Sequence, residues 1–226
     1  MMTTEMKSGK SSIELIRLFK KFPVLLFLGL MFTFSCNDDD KEEVEIQYGS
    51  MSDIDGNLYG TVLINGKWWM AENLKYANPE FVQRCYLDSL SMCEKFGVLY
   101  SRKAAMQACP SGWHLPTNPE FDSLLQTIGH QNDQLVQSLA SSGNSGFDAQ
   151  FGGWAHYYYS ARLYEFRQVG DVAVLWTSSL DAKNYVYRLV ISAKQRKVLF
   201  TRAGIKFPHG EKRPFDLAYV RCVKNK

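Results

Sequence analysis

The chain has 226 residues, 46% of them apolar and 14% aromatic, which suits one domain with a sizeable core. Its 26 basic and 23 acidic side chains give a formal charge of +3 with no basic stripe, which argues against nucleic acid as a partner. The five cysteines and four histidines form no Cys-x-x-Cys and no ligand-spaced histidine pair, so a zinc site is not expected.

In chain order, Lys7, Lys10, Arg17, Lys20 and Lys21 make a basic start, and the 13-residue apolar run Phe22–Phe34 follows. A bilayer-spanning helix needs about 20 residues, so this run has the length of a signal-peptide core instead. Ser35-Cys36 closes it, and the acidic cluster Asp38-Asp39-Asp40-Lys41-Glu42-Glu43 follows at once. The stretch resembles a bacterial lipoprotein signal, with Thr33 where leucine is usual. That resemblance implies cleavage before Cys36, a diacylated Cys36 thiol and lipid anchoring in the outer membrane. The acidic cluster resembles the tag that sends lipoproteins of Bacteroidetes-type bacteria to the outer cell surface. The expected organisation is a signal peptide over 1–35, a flexible acidic linker over 36–50 and one folded domain over 51–226. Residues 1–35 hold five basic and two acidic side chains, so the mature chain carries 21 of each and no net charge.

Asp55-Gly56 and Asn65-Gly66 are hairpin-turn dipeptides, because such turns need positive φ at their central positions. Around them, 59–64 and 67–74 read as strands. Arg102 to Cys109 reads as a short amphipathic helix that Pro110 and Gly112 stop. Thr117 and Glu120 make a capping-box signature with Pro119 in the opening turn, and Phe121, Leu124, Leu125 and Ile128 line one face of the helix that follows. Residues 133–139 predict a third helix, and Ser141–Gly146 a loop. From Phe147 onward the pattern is β-rich, with strands predicted over 172–177, 185–191, 197–201 and 217–223. The fold class is α+β, with two to three helices packed on antiparallel strands and long irregular loops.

An exported chain meets oxidising conditions, which leaves Cys85, Cys93, Cys109 and Cys222 to pair once Cys36 is lipidated. Four cysteines allow three connectivities, and spacing does not choose among them. Cys85 and Cys93 flank a short polar loop that a bridge could close.

Catalytic patterns fail on inspection. Gly143-Asn144-Ser145-Gly146 is not a Gly-x-Ser-x-Gly elbow, and no phosphate-binding glycine loop is present. Asp53-x-Asp55-Gly56-Asn57 invites a calcium reading, but its glycine falls too early for an EF-hand loop, so a plain β-turn is expected. Trp113 is expected to be a buried scaffold aromatic and His114 an interior hydrogen-bonding histidine at a turn. Binding capacity lies in aromatics: Trp154, Tyr157, Tyr158, Tyr159 and Tyr164 follow Gly152-Gly153 within a short stretch. Flat rings stack on sugar faces, and tyrosine and tryptophan dominate protein interfaces. Three consecutive tyrosines on a strand cannot all face inward, so at least one is expected at the surface.

Five segments occur in an order that marks a family: Asp53–Asn57, Trp69–Leu74, Gly97–Tyr100, Ala104–Thr117 and Tyr219–Cys222. Within the fourth, Cys109-Pro110-Ser111-Gly112-Trp113-His114-Leu115-Pro116 is the most diagnostic, and Trp176-Thr177-Ser178-Ser179 matches a further element. The chain resembles the Fibrobacter succinogenes major paralogous domain family, whose members are mostly secreted or lipid-anchored bacterial proteins. That family is similar to C-type-lectin-like domains, in which a cysteine of the first helix pairs with one in the last strand. The resemblance therefore implies Cys109–Cys222, with Cys85–Cys93 as a local bridge. The Glu-Pro-Asn and Trp-Asn-Asp motifs of calcium-dependent lectins are absent, which counts against calcium-dependent sugar binding. Formylglycine-generating enzymes share the broad fold but need reactive cysteines that pairing would consume. The expectation is a non-catalytic surface lipoprotein without cofactor or metal, binding a glycan or a protein and touching the membrane only through its lipid. A structural protein of the cell envelope is the alternative, and an enzyme of the formylglycine type comes third. The favoured binding surface lies between about Gly143 and Phe166.

Overall fold

The computed structural model describes residues 45–129, 132–158, 160–203 and 216–226. The expected signal peptide over 1–35, Cys36 and Tyr159 lie outside the described residues. The first strand, β1 (Tyr48–Ser52), begins within the stretch expected to be linker, because its backbone is taken up in an antiparallel ladder with β2 (Leu58–Ile64). Gly49 shows why this strand docks so closely. A Cβ there would stand 2.9 Å from Thr61 Oγ1 and 3.1 Å from the Trp68 ring.

Asn65 and Gly66, with φ of 50° and 70°, turn β2 into β3 (Lys67–Met70) as the dipeptide predicts. β3 stops four residues short of the expected end at 74. Ala71 still donates its N–H to Gly60 of β2, but Leu74 donates to Val220, so beyond Ala71 the chain turns from β2 to the C-terminal segment. The sheet is completed by β12 (Val223–Lys224) and β6 (Trp113–His114) in the order β1-β2-β3-β12-β6, every pair antiparallel.

Two short ribbons and a three-stranded sheet make up the rest. β4 (Gln83–Arg84) pairs with β5 (Leu99–Tyr100), and β7 (Trp154–Tyr158) with β8 (Leu163–Arg167). β9 (Val172–Leu180), β10 (Val186–Ser192) and β11 (Lys197–Ala203) form an antiparallel meander, all three longer than predicted at their C-terminal ends.

Four α-helices lie among the described residues: α1 (Leu90–Phe96), α2 (Arg102–Ala108), α3 (Asn118–Ile128) and α4 (Asn132–Leu139). The last three match the predicted helices. The first does not, since the segment between Cys85 and Cys93 was expected as a loop. It forms instead a 3-10 turn (Tyr86–Asp88) followed by α1, whose Met92 and Phe96 lie one turn apart and pack on the core. Two side chains in a seven-residue helix are too few to give a periodic signal.

The C-terminal segment 217–223 holds these pieces together, but not as the single strand predicted. Its residues bond several different parts of the fold in turn. Leu217 exchanges backbone bonds with Ala155, and Ala218 with Tyr100. Tyr219 donates to Val174 and accepts from Trp176, Val220 accepts from Leu74, and Cys222 accepts from Met70. All seven residues are buried. Cys222 is bonded to Cys109 (Cα–Cα 5.8 Å) and Cys85 to Cys93 (4.9 Å), the partners implied by the family resemblance.

Arg221 is the one charge on this seam and is fully buried. Its Nε donates to Asn73 Oδ1 (2.8 Å), its Nη2 to the Asp148 carbonyl (2.7 Å) and its Nη1 to the Phe147 carbonyl, while the guanidinium lies 4.6 Å over the Phe147 ring. Burial pulls it down to about 9 against the pull of Asp148 and Glu72, so it stays charged at neutral pH. Replacing Arg221 by leucine leaves two buried carbonyls and an amide oxygen without donors, each at about 1–3 kcal/mol. Chemical denaturation of Arg221→Leu is therefore expected to show a loss of at least about 3 kcal/mol, comparable with breaking a buried ion pair.

Candidate functional site

The proposed aromatic residues fall on one hairpin, and strand alternation divides them between its faces. Trp154, His156 and Tyr158 share the outer face. The Trp154 Nε1 donates to Gln168 Oε1 (2.9 Å), and its ring has two guanidiniums on it, Arg188 at 4.9 Å and Arg167 at 5.5 Å. His156 stands edge-on to both neighbours, 5.9 Å from Trp154 and 4.8 Å from Tyr158. Tyr158 is exposed, at 37%, and its hydroxyl accepts from Arg167. Asp216 holds the inner edge of this cluster, bonded to His156 Nδ1 (2.7 Å) and to Arg188 Nη1 (3.2 Å).

Tyr157 and Tyr164 lie on the other face, ring to ring at 5.0 Å, with the Arg84 guanidinium 5.1 Å over Tyr164. Phe166 continues this face and packs on Tyr86 at 5.1 Å. The structure thus assembles four of the five candidates on one ribbon, but on opposite sides of it. The stretch before the ribbon belongs to the core. A Cβ at Gly152 would lie 2.6 Å from the Tyr219 hydroxyl, and Gly153 (φ 76°) sits against the Arg167 carbonyl. Arg84, His156, Arg167, Arg188 and Asp216 were not among the candidates. The alternation Trp154-x-His156-x-Tyr158 was the available signal for the histidine, whereas Arg188 and Asp216 arrive from distant strands.

At the opposite end of the sequence motifs, Pro110 and Gly112 (φ 82°) turn the chain after α2, with Trp113 N–H donating to the Pro110 carbonyl at 3.0 Å. Trp113 is only half-buried, packed against a cluster of buried residues that includes Met70, Leu115 and Cys222. His114 is also half-buried and not interior, because it sits on the edge strand β6 of the large sheet. It does hydrogen-bond: Nε2 meets Glu120 Oε1 at 2.9 Å and Nδ1 meets Asn225 Oδ1 at 2.6 Å. Glu120 closes the capping box with Thr117 and accepts from Lys67 Nζ at 2.6 Å.

The Asp53 turn is likewise self-contained. Its Oδ1 accepts the N–H groups of Asp55 and Asn57, and its Oδ2 accepts Asn57 Nδ2 and the Tyr59 hydroxyl. Both oxygens are occupied by protein donors. Among the described residues no group of three or more histidine, cysteine or acidic side chains could hold a metal, and all four cysteines are in disulfides.

The model of the Fibrobacter succinogenes major domain matches residues 62–224. The chain belongs to this family. No curated protein and no solved structure matches it. The matched region includes the Cys109–Pro116 block, which with the following cap forms a corner of a disulfide, a turn, an edge-strand histidine and a helix cap, each with its partners inside the protein.

Burial alone would raise the Glu120 carboxyl. The donors Lys67, Thr117 N–H, His114 and Thr117 hydroxyl overcome it and hold the group at about 2, against an ordinary 4.5. A depressed acid stabilises the fold fully above its unfolded value and loses that contribution as pH falls through the folded one. The stability of the protein is thus expected to drop between pH 4.5 and 2, by no more than about 3 kcal/mol from this group. Glu120→Gln should be less stable at pH 7 and show a flatter unfolding-midpoint profile across that window.

Proposed function

We propose that this protein is a non-catalytic binding module, lipid-anchored through Cys36 in the outer membrane and exposed on the cell surface. On this reading the α+β domain is C-type-lectin-like, supported by the Cys109–Cys222 bridge between α2 and the strand segment at the C-terminus. Its ligand is a glycan or a protein, met on the β7–β8 hairpin. The observation that carries the reading is the outer face of that hairpin: Trp154, His156, Tyr158 and Arg167 form a layered aromatic and guanidinium surface at the edge of the molecule. Arginine, tryptophan and tyrosine are the residues that concentrate binding energy at interfaces, and stacked rings also suit sugar faces. Tyr159 of the candidate set lies outside the described residues and carries none of this argument.

A structural role in the envelope is the second reading. Leu87 and Leu90, exposed at 59% and 80%, favour it, because clustered exposed leucines point to contact with another protein.

Tyr158→Ala removes an exposed ring and should leave unfolding stability within about 1 kcal/mol. Screened on glycan arrays and by surface-partner pull-down, the Trp154→Ala and Tyr158→Ala variants should each lose tenfold or more in affinity for any ligand the intact protein binds. Full binding by both variants would remove the outer face from the reading.

A further inference from the structure

A groove opens on the other side of the same hairpin. The β7–β8 ribbon joins the core through Ala155 and Leu217, and the β4–β5 ribbon through Tyr100 and Ala218, so adjacent residues of the seam carry both. β8 and β4 are the outer strands of their ribbons. They approach each other across a groove of about 820 Å³, lined by Gln83, Arg84, Asp88, Tyr157, Arg162 and Tyr164 among others.

The rim of this groove is apolar and held in place. Val82 is exposed on the wall beside β4, Leu163 is exposed opposite Tyr158 at the start of β8, and Leu87 and Leu90 are exposed on the Cys85–Cys93 loop, whose Cys85 and Asp88 line the groove. Leu87, Asp88 and Arg162 all have positive φ (55°, 53° and 54°), a region that leucine and arginine rarely enter. The loop is kept there by the disulfide at its ends and by the Arg84–Asp88 ion pair at 2.7 Å. Backbone strain of this kind persists only where the surroundings impose it, and it collects at ligand clamps. Here it fixes Leu87 outward, at 59% exposure.

Charge narrows the occupant. Asp88 answers Arg84, whereas Arg162 has no carboxylate partner among the described residues, so the groove carries one excess positive charge. Outer strands invite a further strand, exposed leucines with tyrosine and arginine are the composition of a protein-binding patch, and the excess charge selects an acidic one. We propose that the groove between β8 and the Cys85–Cys93 loop binds an extended, acidic polypeptide segment bearing large apolar side chains. The proposal rests on the reading of the protein as a binding module but uses a different face of the hairpin.

The test uses the full chain and a fluorescein-labelled hexapeptide of alternating glutamate and leucine, read by fluorescence polarisation, beside a lysine–leucine counterpart and an oligo-uronate. The glutamate peptide is expected to bind at least tenfold more tightly than the lysine peptide, and Arg162→Glu to lose that preference. Leu87→Asn is the second variant. Asparagine tolerates positive φ, so its thermal midpoint should be equal to or above that of the parent while peptide affinity falls tenfold or more. Failure of the glutamate peptide to bind, equal binding of the two peptides, or displacement by the oligo-uronate at lower concentration overturns the proposal. Binding that survives Arg162→Glu and Leu87→Asn but is lost in Trp154→Ala also overturns it, while leaving the binding-module reading standing.

Discussion

A guanidinium sealed in the interior has to be answered by acceptors on every side, and Arg221 dictates where those acceptors stand. Asn73 comes from the irregular stretch after β3, and Phe147 and Asp148 come from the connection before β7. Neither stretch has a regular ladder of its own to fix it. The three bonds therefore place two long connections against the last residues of the chain, and the Phe147 ring closes over the guanidinium. Desolvating a charge is costly unless it is hydrogen-bonded, so the arrangement tolerates little variation.

The seam around Arg221 explains how several small sheets are held together. Between Leu217 and Cys222 the backbone bonds in turn to β7, β5, β9 and the end of β3. The Cys109–Cys222 disulfide ties α2 to this segment across 113 residues of chain. In the chain-entropy model such a loop contributes about 4.7 kcal/mol, whereas the eight-residue Cys85–Cys93 loop contributes about 2.5 kcal/mol. The smaller bridge has a different consequence, since it holds exposed Leu87 in the left-handed region beside the hairpin.

That hairpin is anchored at its base by the seam and by Gly152-Gly153, where no side chain fits against Tyr219 and the Arg167 carbonyl. Its two faces then differ in chemistry. The outer face is a stack of rings and guanidiniums braced by Asp216. The inner face is a tyrosine pair looking onto a strained loop. One ribbon thus presents two surfaces with separate charge and separate supports.

The α+β class, the Asn65-Gly66 hairpin, the stop of α2 and the capping box of α3 were legible in the sequence, because each depends on residues within a few positions of one another. The family was legible for the same reason, through the Cys109–Pro116 block. Tertiary structure decided the rest. Residues 217–223 look like one strand, since buried apolar alternation is the same whether a segment pairs with one neighbour or with four. α1 is set by Met92 and Phe96 meeting a core assembled from elsewhere. His114 sits at the turn in the diagnostic block, where an interior place is expected, yet it stands on an edge strand whose position only the sheet order gives. The aromatic cluster could be named from the sequence, but its division into two faces depends on the β7–β8 register. Its arginines come from β4, β8 and β10, and no local spacing brings those strands together.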